Sequence, residues 1–210
     1  PRGVAGLGKP VRSRRNRQMT KQQPDHLPKR ADQPHKRIVS SSHLVSERAA
    51  ELSEVEYGLI VASNAFGMWM VKAMAAALAE MDLSADLGVL DILCLHSVNH
   101  RGRAKKLADI CFKLNVEDSH TVNYALKKLV KYGLVQSEKQ GKEVFYDTTG
   151  RGEALCMAYR DIRESCLVDE YAAFDGTSGK LNAASLCDVA RQLRLLSGLY
   201  DQAARSATSF

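Results

Sequence analysis

The side chains in this sequence best suited to chemistry are Ser119, His120, Asn123, Tyr124, Lys127 and Lys131, polar groups that recur three or four residues apart. That spacing puts them on one face of a helix. The opposite face, Val122, Ala125, Leu126, Leu129 and Val130, is an apolar stripe that needs a core to cover it. Such a polar face can recognise a partner by hydrogen bonding. Asn123 and His120 can bond base edges, Thr121 can offer its methyl to thymine, and Lys128 and Lys131, further along, can touch phosphate. A polar stripe is more often merely a wetted one, so its neighbours must decide.

Those neighbours form an ordered set between Arg103 and Asp147. A short helix comes first, with Leu107, Ile110, Cys111 and Leu114 inward and Lys105, Lys106, Asp109 and Lys113 outward. The polar-faced helix follows, and Gly133 supplies a left-handed C-terminal cap. Leu134 and Val135 open an extended run that reverses at Gln140-Gly141 and returns through Val144, Phe145 and Tyr146, with Lys139 and Lys142 near its tip. Helix, turn, helix, glycine stop and hairpin together specify a helix-turn-helix with a wing. Any one of them alone would say little.

The tail of the second helix, KKLVKYGLV, and the hairpin exit, TTGRGEAL, resemble the winged-helix domain of MarR-type transcription regulators. The resemblance spans roughly Ser53 to Tyr200, is strongest from Leu107 to Leu155, and within the family looks nearest to the LdtR-type subgroup. It implies a mainly α fold with a small β-wing, in which a winged helix-turn-helix is flanked by dimerisation helices. The implied function is transcription regulation by a homodimer that reads an inverted repeat in double-stranded DNA. Ser119, His120, Thr121, Asn123, Tyr124, Lys127, Lys128, Lys131, Lys139 and Lys142 are the residues placed on DNA. A small-molecule effector is implied in the cleft that maps to Phe66, Trp69, Met70, Cys94 and His96. One departure stands out. The family wing usually carries an Asp-Arg pair near its tip, whereas this chain has Glu138, Lys139, Gln140, Gly141 and Lys142, so phosphate contact by lysine replaces an inserted arginine.

Charge is distributed in keeping with that reading. Of a formal net charge of +6, residues 1–48 hold 12 basic against 3 acidic side chains, and residues 101–148 hold 10 against 6. The remaining body is acidic, so one basic face can be presented to phosphate. Residues 1–48 contain all five prolines and few bulky apolar residues, and read as a disordered basic tail. That tail is either an arm along DNA phosphates or a segment upstream of a start at Met19. Residues 49–210 read as one subunit, with 84–148 the winged-helix part and 52–82 plus 149–205 the dimerisation helices.

In chain order, Ser53 with Glu56 forms a capping box, stapled by Leu52 and Tyr57, that should open a long helix to Met81. Ser84 should cap the next, through Ala85 to Val98. After the wing, Leu155, Tyr159, Ile162, Cys166 and Asp169 alternate by four and three like a heptad seam in a helix over Gly150 to Ala172. A loop at Phe174 to Gly179 precedes a last helix from Lys180 to Ala204. The terminal helices and the first long one carry more apolar surface than one small core can cover.

Other chemistries lack support in the sequence. Five cysteines without a C-x-x-C pair suit a reducing, cytoplasmic setting. No unbroken apolar run approaches the ~20 residues of a membrane span. His96, His100 and Cys94 lack further metal ligands at suitable spacing, and read as helix-end histidines and packing thiol. There is no phosphate-cradling glycine loop, dinucleotide fingerprint or nucleophile elbow, so neither enzyme nor cofactor is expected. The competing readings are a protein-interaction module docking through His120 and Tyr124, a regulator sensing oxidants through a thiol, best placed at Cys111, and a small His/Cys enzyme.

Overall fold

The computed structural model describes residues 45–170 and 183–209. The expected tail, apart from residues 45–48, and the loop at Phe174 to Gly179 lie outside the described residues. A single 3-10 turn, Glu47–Ala49, leads into α1, Ala50–Glu80. Ser53 is therefore not the cap, because the chain is already helical three residues earlier. Arg48 through Leu52 are good helix formers, so the helix runs back through the capping box.

The second helix departs from expectation in the opposite direction. It is α2, Val89–Asn99, and residues 83–88 before it are not helical. Asp91 accounts for the shift, since its Oδ2 accepts the Gly88 N–H at 2.9 Å and takes the capping role expected of Ser84. Leu87, buried at the end of the extended segment, anchors that entry.

A strand follows that the periodicity did not reveal. It is β1, Lys105–Lys106, too short to show alternation. Then come α3, Leu107–Leu114, and α4, Ser119–Lys131, joined through Asn115 in the left-handed region at φ 53°. The wing is β2, Val135–Gln140, and β3, Glu143–Thr148. Its turn is Gly141-Lys142, one residue later than the reversal expected at Gln140-Gly141, with Gln140 paired to Glu143 and the positive φ at Gly141. The sheet is antiparallel in the order β1-β3-β2, with Lys105 opposite Tyr146. Helix α5, Gly150–Arg163, continues through a π-helical turn at Glu164–Val168. The last described element is α6, Ala183–Ala207.

One core joins these pieces. Met70, Met74, Ile92, Leu95, Ile110, Leu126, Leu129 and Leu155 are buried together, so the second half of α1 packs with α2, α4 and α5. Of the stripe on α4 only Val130 escapes, at 37% exposure. The heptad seam on α5 turns inward at Leu155 and Tyr159 but leaves Cys166, within the π-turn, and Asp169, just after it, exposed.

Apolar surface remains outside that core. The first half of α1 exposes Val55, Ile60, Val61 and Phe66, and α6 buries none of its residues while exposing Leu186, Val189, Leu193, Leu195 and Leu199. By length and composition the helical segment Glu47–Glu80 could cross a membrane, with a window mean hydropathy of 1.4. This corrects the expectation from unbroken runs, because scattered Ser, Asn and Gly residues interrupt the run without lowering the average much. Its second half nevertheless packs against α2 and α5, as a helix of a folded core does.

The junction of wing and α5 leaves no room for a side chain at Gly152, whose added Cβ would collide with the Leu134 carbonyl oxygen and lie 2.8 Å from Thr148 Cγ2. Gly152→Ala should therefore lower the unfolding free energy by about 3 kcal/mol in urea titration. Gly150→Ala, two residues away with nothing within 4 Å of its added Cβ, should instead raise it by about 0.5 kcal/mol. Equal effects would mean that the close approach does not exist.

Candidate nucleic-acid interface

Helix α4 is built to present its polar face. Asp118 caps it, accepting the His120 N–H at 2.9 Å, while the Thr121 hydroxyl donates to the Asp118 carbonyl at 2.8 Å. That engages the hydroxyl and leaves the Thr121 methyl for an apolar contact. Ser119, His120, Thr121, Tyr124, Lys127 and Lys131 are all exposed, Tyr124 at 72%, and Asn123 is half-buried beside them. At the far end Gly133, at φ 68°, sends its N–H to the Val130 carbonyl and Leu134 sends its own to Leu129, which closes the helix in a Schellman motif.

Lys128 departs from its expected role. Its Nζ lies 2.7 Å from Asp91 Oδ2, and the two side chains are 25% and 10% exposed. Asp91, which also caps α2, thus ties α4 to the helix behind it. The hydrogen bond to Asp91 raises the Lys128 pKa, so the ammonium stays charged at any ordinary pH. The sequence reading puts Lys128 on phosphate; only the position of Asp91 shows that it turns inward.

The wing carries Lys139 and Lys142 at its exposed tip, and neither forms an ion pair among the described residues. Lys106, at the edge of the sheet, sits 2.6 Å from Glu143 and 5.4 Å from the Phe145 ring centroid. Lys105 is the largest correction to the sequence reading. Expected outside, it is buried, and its ammonium donates to the carbonyls of Val98 at 2.7 Å, His100 at 2.6 Å and Arg103 at 2.9 Å. It closes the C-terminal end of α2 and fixes the loop that delivers β1 to the wing. Burial lowers its pKa, and the like charges of Lys113 and Arg103 add to the shift.

The residues expected around an effector form a row of rings. Phe66 stacks on Trp69 at 6.1 Å, Trp69 meets Tyr159 edge-on at 5.6 Å, and His96 meets Tyr159 at 4.7 Å. Tyr159, which completes the row, was read in the sequence only as a seam residue. Met70 and Cys94 are fully packed behind it. Burial lowers the His96 pKa, which favours neutral imidazole. It also pushes the thiols of Cys94 and Cys156 up to about 12 and that of half-buried Cys111 upward. Cys166, expected in the seam, is exposed, and so is Cys187.

Residues 87–152, from the approach to α2 through the first turn of α5, match the family described as winged helix DNA-binding domain. Helices α2 to α4 and the hairpin over these residues form a winged helix. The described chain shares its fold with solved structures of regulators. It is similar to the crystal structure of the MarR family transcription regulator SP03579, at 15% identity and a TM-score of 0.51 over 75% of this chain and 95% of that one. It is also similar to AbfR of Staphylococcus epidermidis, at 15% identity and a TM-score of 0.50 over 72% and 95% of the two chains. No curated protein matches the chain in sequence.

Within the winged helix, the Asp91–Lys128 pair determines how α4 is seated. Asp91→Ala strands a partly buried ammonium and a Gly88 N–H, and should cost about 2 kcal/mol of stability. Lys128→Met, which keeps the buried stem, should cost less. A double-mutant cycle in urea should show coupling of about 1 kcal/mol; strictly additive losses would mean that the two side chains do not meet in solution.

Proposed function

We propose that this protein is a homodimeric, sequence-specific transcription regulator of the cytoplasm that reads an inverted-repeat operator with one α4 helix per subunit. The observation that carries the reading is the capped, exposed stripe of Ser119, His120, Thr121, Tyr124, Lys127 and Lys131, with half-buried Asn123 beside it, on a helix followed by a wing with lysines at its tip. Winged helices place such a helix in the major groove. Asn123 and His120 meet base edges, Lys127 and Lys131 meet phosphate, and Lys139 and Lys142 position the wing on the backbone without reading sequence. Lys128 acts from behind, by holding α4 against α2.

The dimer follows from uncovered apolar surface. Ile60 and Phe66 on α1 are 59% and 56% exposed, and Leu195 and Leu199 on α6 are 64% and 61% exposed, too much large apolar surface for a free subunit. A second copy related by a two-fold axis covers the same faces on both chains. The aromatic row of Phe66, Trp69, Tyr159 and His96 runs from α1 across α5 to α2. A small molecule binding there releases DNA by favouring a different spacing of the two reading helices. Ligand sensing ranks above thiol sensing, because burial disfavours the thiolate of Cys94, Cys111 and Cys156.

Operator selection from random DNA should return two inverted half-sites with centres about 10 base pairs apart or a multiple of that. Asn123→Ala and His120→Ala should relax preference at particular base pairs by ~1 to 3 kcal/mol, and Lys131→Ala should weaken all sequences alike. Equal losses on operator and random DNA for all three variants would remove the assignment. In light scattering the intact chain should be a dimer and Ile60→Glu a monomer with sharply reduced operator affinity. An Ile60→Glu dimer with full affinity would place the interface elsewhere.

A further inference from the structure

A second concave site lies away from the aromatic row, in the cleft between the loop joining α2 to β1 and the outer face of α3. It has a volume of about 490 Å³, within the size range of small-molecule sites, and its walls include Arg101, Arg103, Lys113, Phe112 and Asp109. Among the described residues none of the three cations forms an ion pair, although nearby Lys106 has Glu143. Asp109 is the one carboxylate lining the cleft, so its walls carry surplus positive charge.

That charge strains its own surroundings. Lys113, ahead of burial and the neighbouring cations Arg101, Lys105 and Arg103, lowers the pKa of His100 at the rim. Burial and then Arg101 lower that of Lys113. Arg101 also sits at φ 67°, a conformation that a non-glycine residue adopts at a cost. Phe112, meanwhile, stands 90% exposed on the same wall. The three bonds from Lys105 to the Val98, His100 and Arg103 carbonyls hold the loop in place. The cleft is therefore preorganised rather than assembled by its ligand.

We infer that this cleft binds a small organic dianion, a phosphate monoester or dicarboxylate, whose charge lies between Arg101, Arg103 and Lys113 and whose apolar part rests on Phe112. Two arginines can each offer a planar fork to such an anion. An exposed ring adds affinity only for a ligand with an apolar body, which a DNA phosphate lacks.

The test uses the full chain without DNA, so its outcome is independent of operator binding. Phenyl phosphate at pH 8 and constant ionic strength is followed by equilibrium dialysis and by the amide shifts of residues 101–113. One saturable site per chain is expected, and inorganic phosphate should bind there more weakly. Arg103→Gln and Lys113→Gln, each verified as folded by thermal melting, should weaken phenyl phosphate by about tenfold. Phe112→Ala should lower affinity for phenyl phosphate while leaving inorganic phosphate unchanged. Absence of saturation, or binding indifferent to the charge substitutions, would overturn the proposal. A separate salt titration with random DNA in which the same variants lose only DNA affinity, with phenyl phosphate binding unchanged, would also overturn it and make the cluster a backbone contact.

Discussion

The hydroxyl of Thr149 donates to the Gly133 carbonyl at 2.7 Å and accepts the Gly152 N–H at 3.1 Å. One side chain thereby joins the end of α4 to the start of α5, and the whole wing is the excursion between them. The Thr149 N–H adds a bond to the Leu134 carbonyl at 3.2 Å, and Gly152 packs so closely on that carbonyl that no side chain fits. The position of α4, the direction of the wing and the first turn of α5 are consequently set together. A displacement of α5 is passed to the exposed face of α4 because this joint has no slack.

Two lysines show how the domain uses charge to hold itself together. Lys128 is partly buried against Asp91, and Lys105 is buried against three backbone carbonyls. Ion pairs at the surface contribute little, whereas a buried ammonium without partners costs several kcal/mol. These two contacts therefore act less as net sources of stability than as constraints that exclude alternative seatings of α4 and of the α2–β1 loop. The exposed lysines at 127, 131, 139 and 142 have no ion pair among the described residues and stay in solvent.

The helices outside the winged helix follow a different logic. Helix α6 buries nothing, touching the rest of the described chain through polar bonds such as Tyr200 to Glu56 at 3.2 Å and Asn115 to Asp201 at 3.0 Å. Polar contacts of this kind, each worth about 1 kcal/mol, cannot offset the exposure of so many leucines. The apolar faces of α1 and α6 are better understood as an unfinished core than as a finished surface.

Much of the fold was legible in the residues themselves. The 3.6-residue period of α4, its separation of Leu126 and Leu129 from His120 and Lys127, the glycine stop at Gly133 and the hairpin are local patterns, and local patterns are what a sequence encodes directly. Helix starts were less legible, because Ser53 and Ser84 have the right chemistry for caps but compete with good helix formers on one side and with Asp91 on the other. The tertiary structure alone decided the roles that depend on distant partners. Lys105 and Lys128 look like solvent-facing cations in any helical projection, and only the carbonyls ending α2 and the carboxylate of Asp91, 37 residues away, turn them inward. Tyr159 likewise joined the aromatic row, and Arg101, Arg103 and Lys113 became one cluster, through packing between separate elements. Periodicity reports which face of an element is buried; it carries no information about what stands opposite.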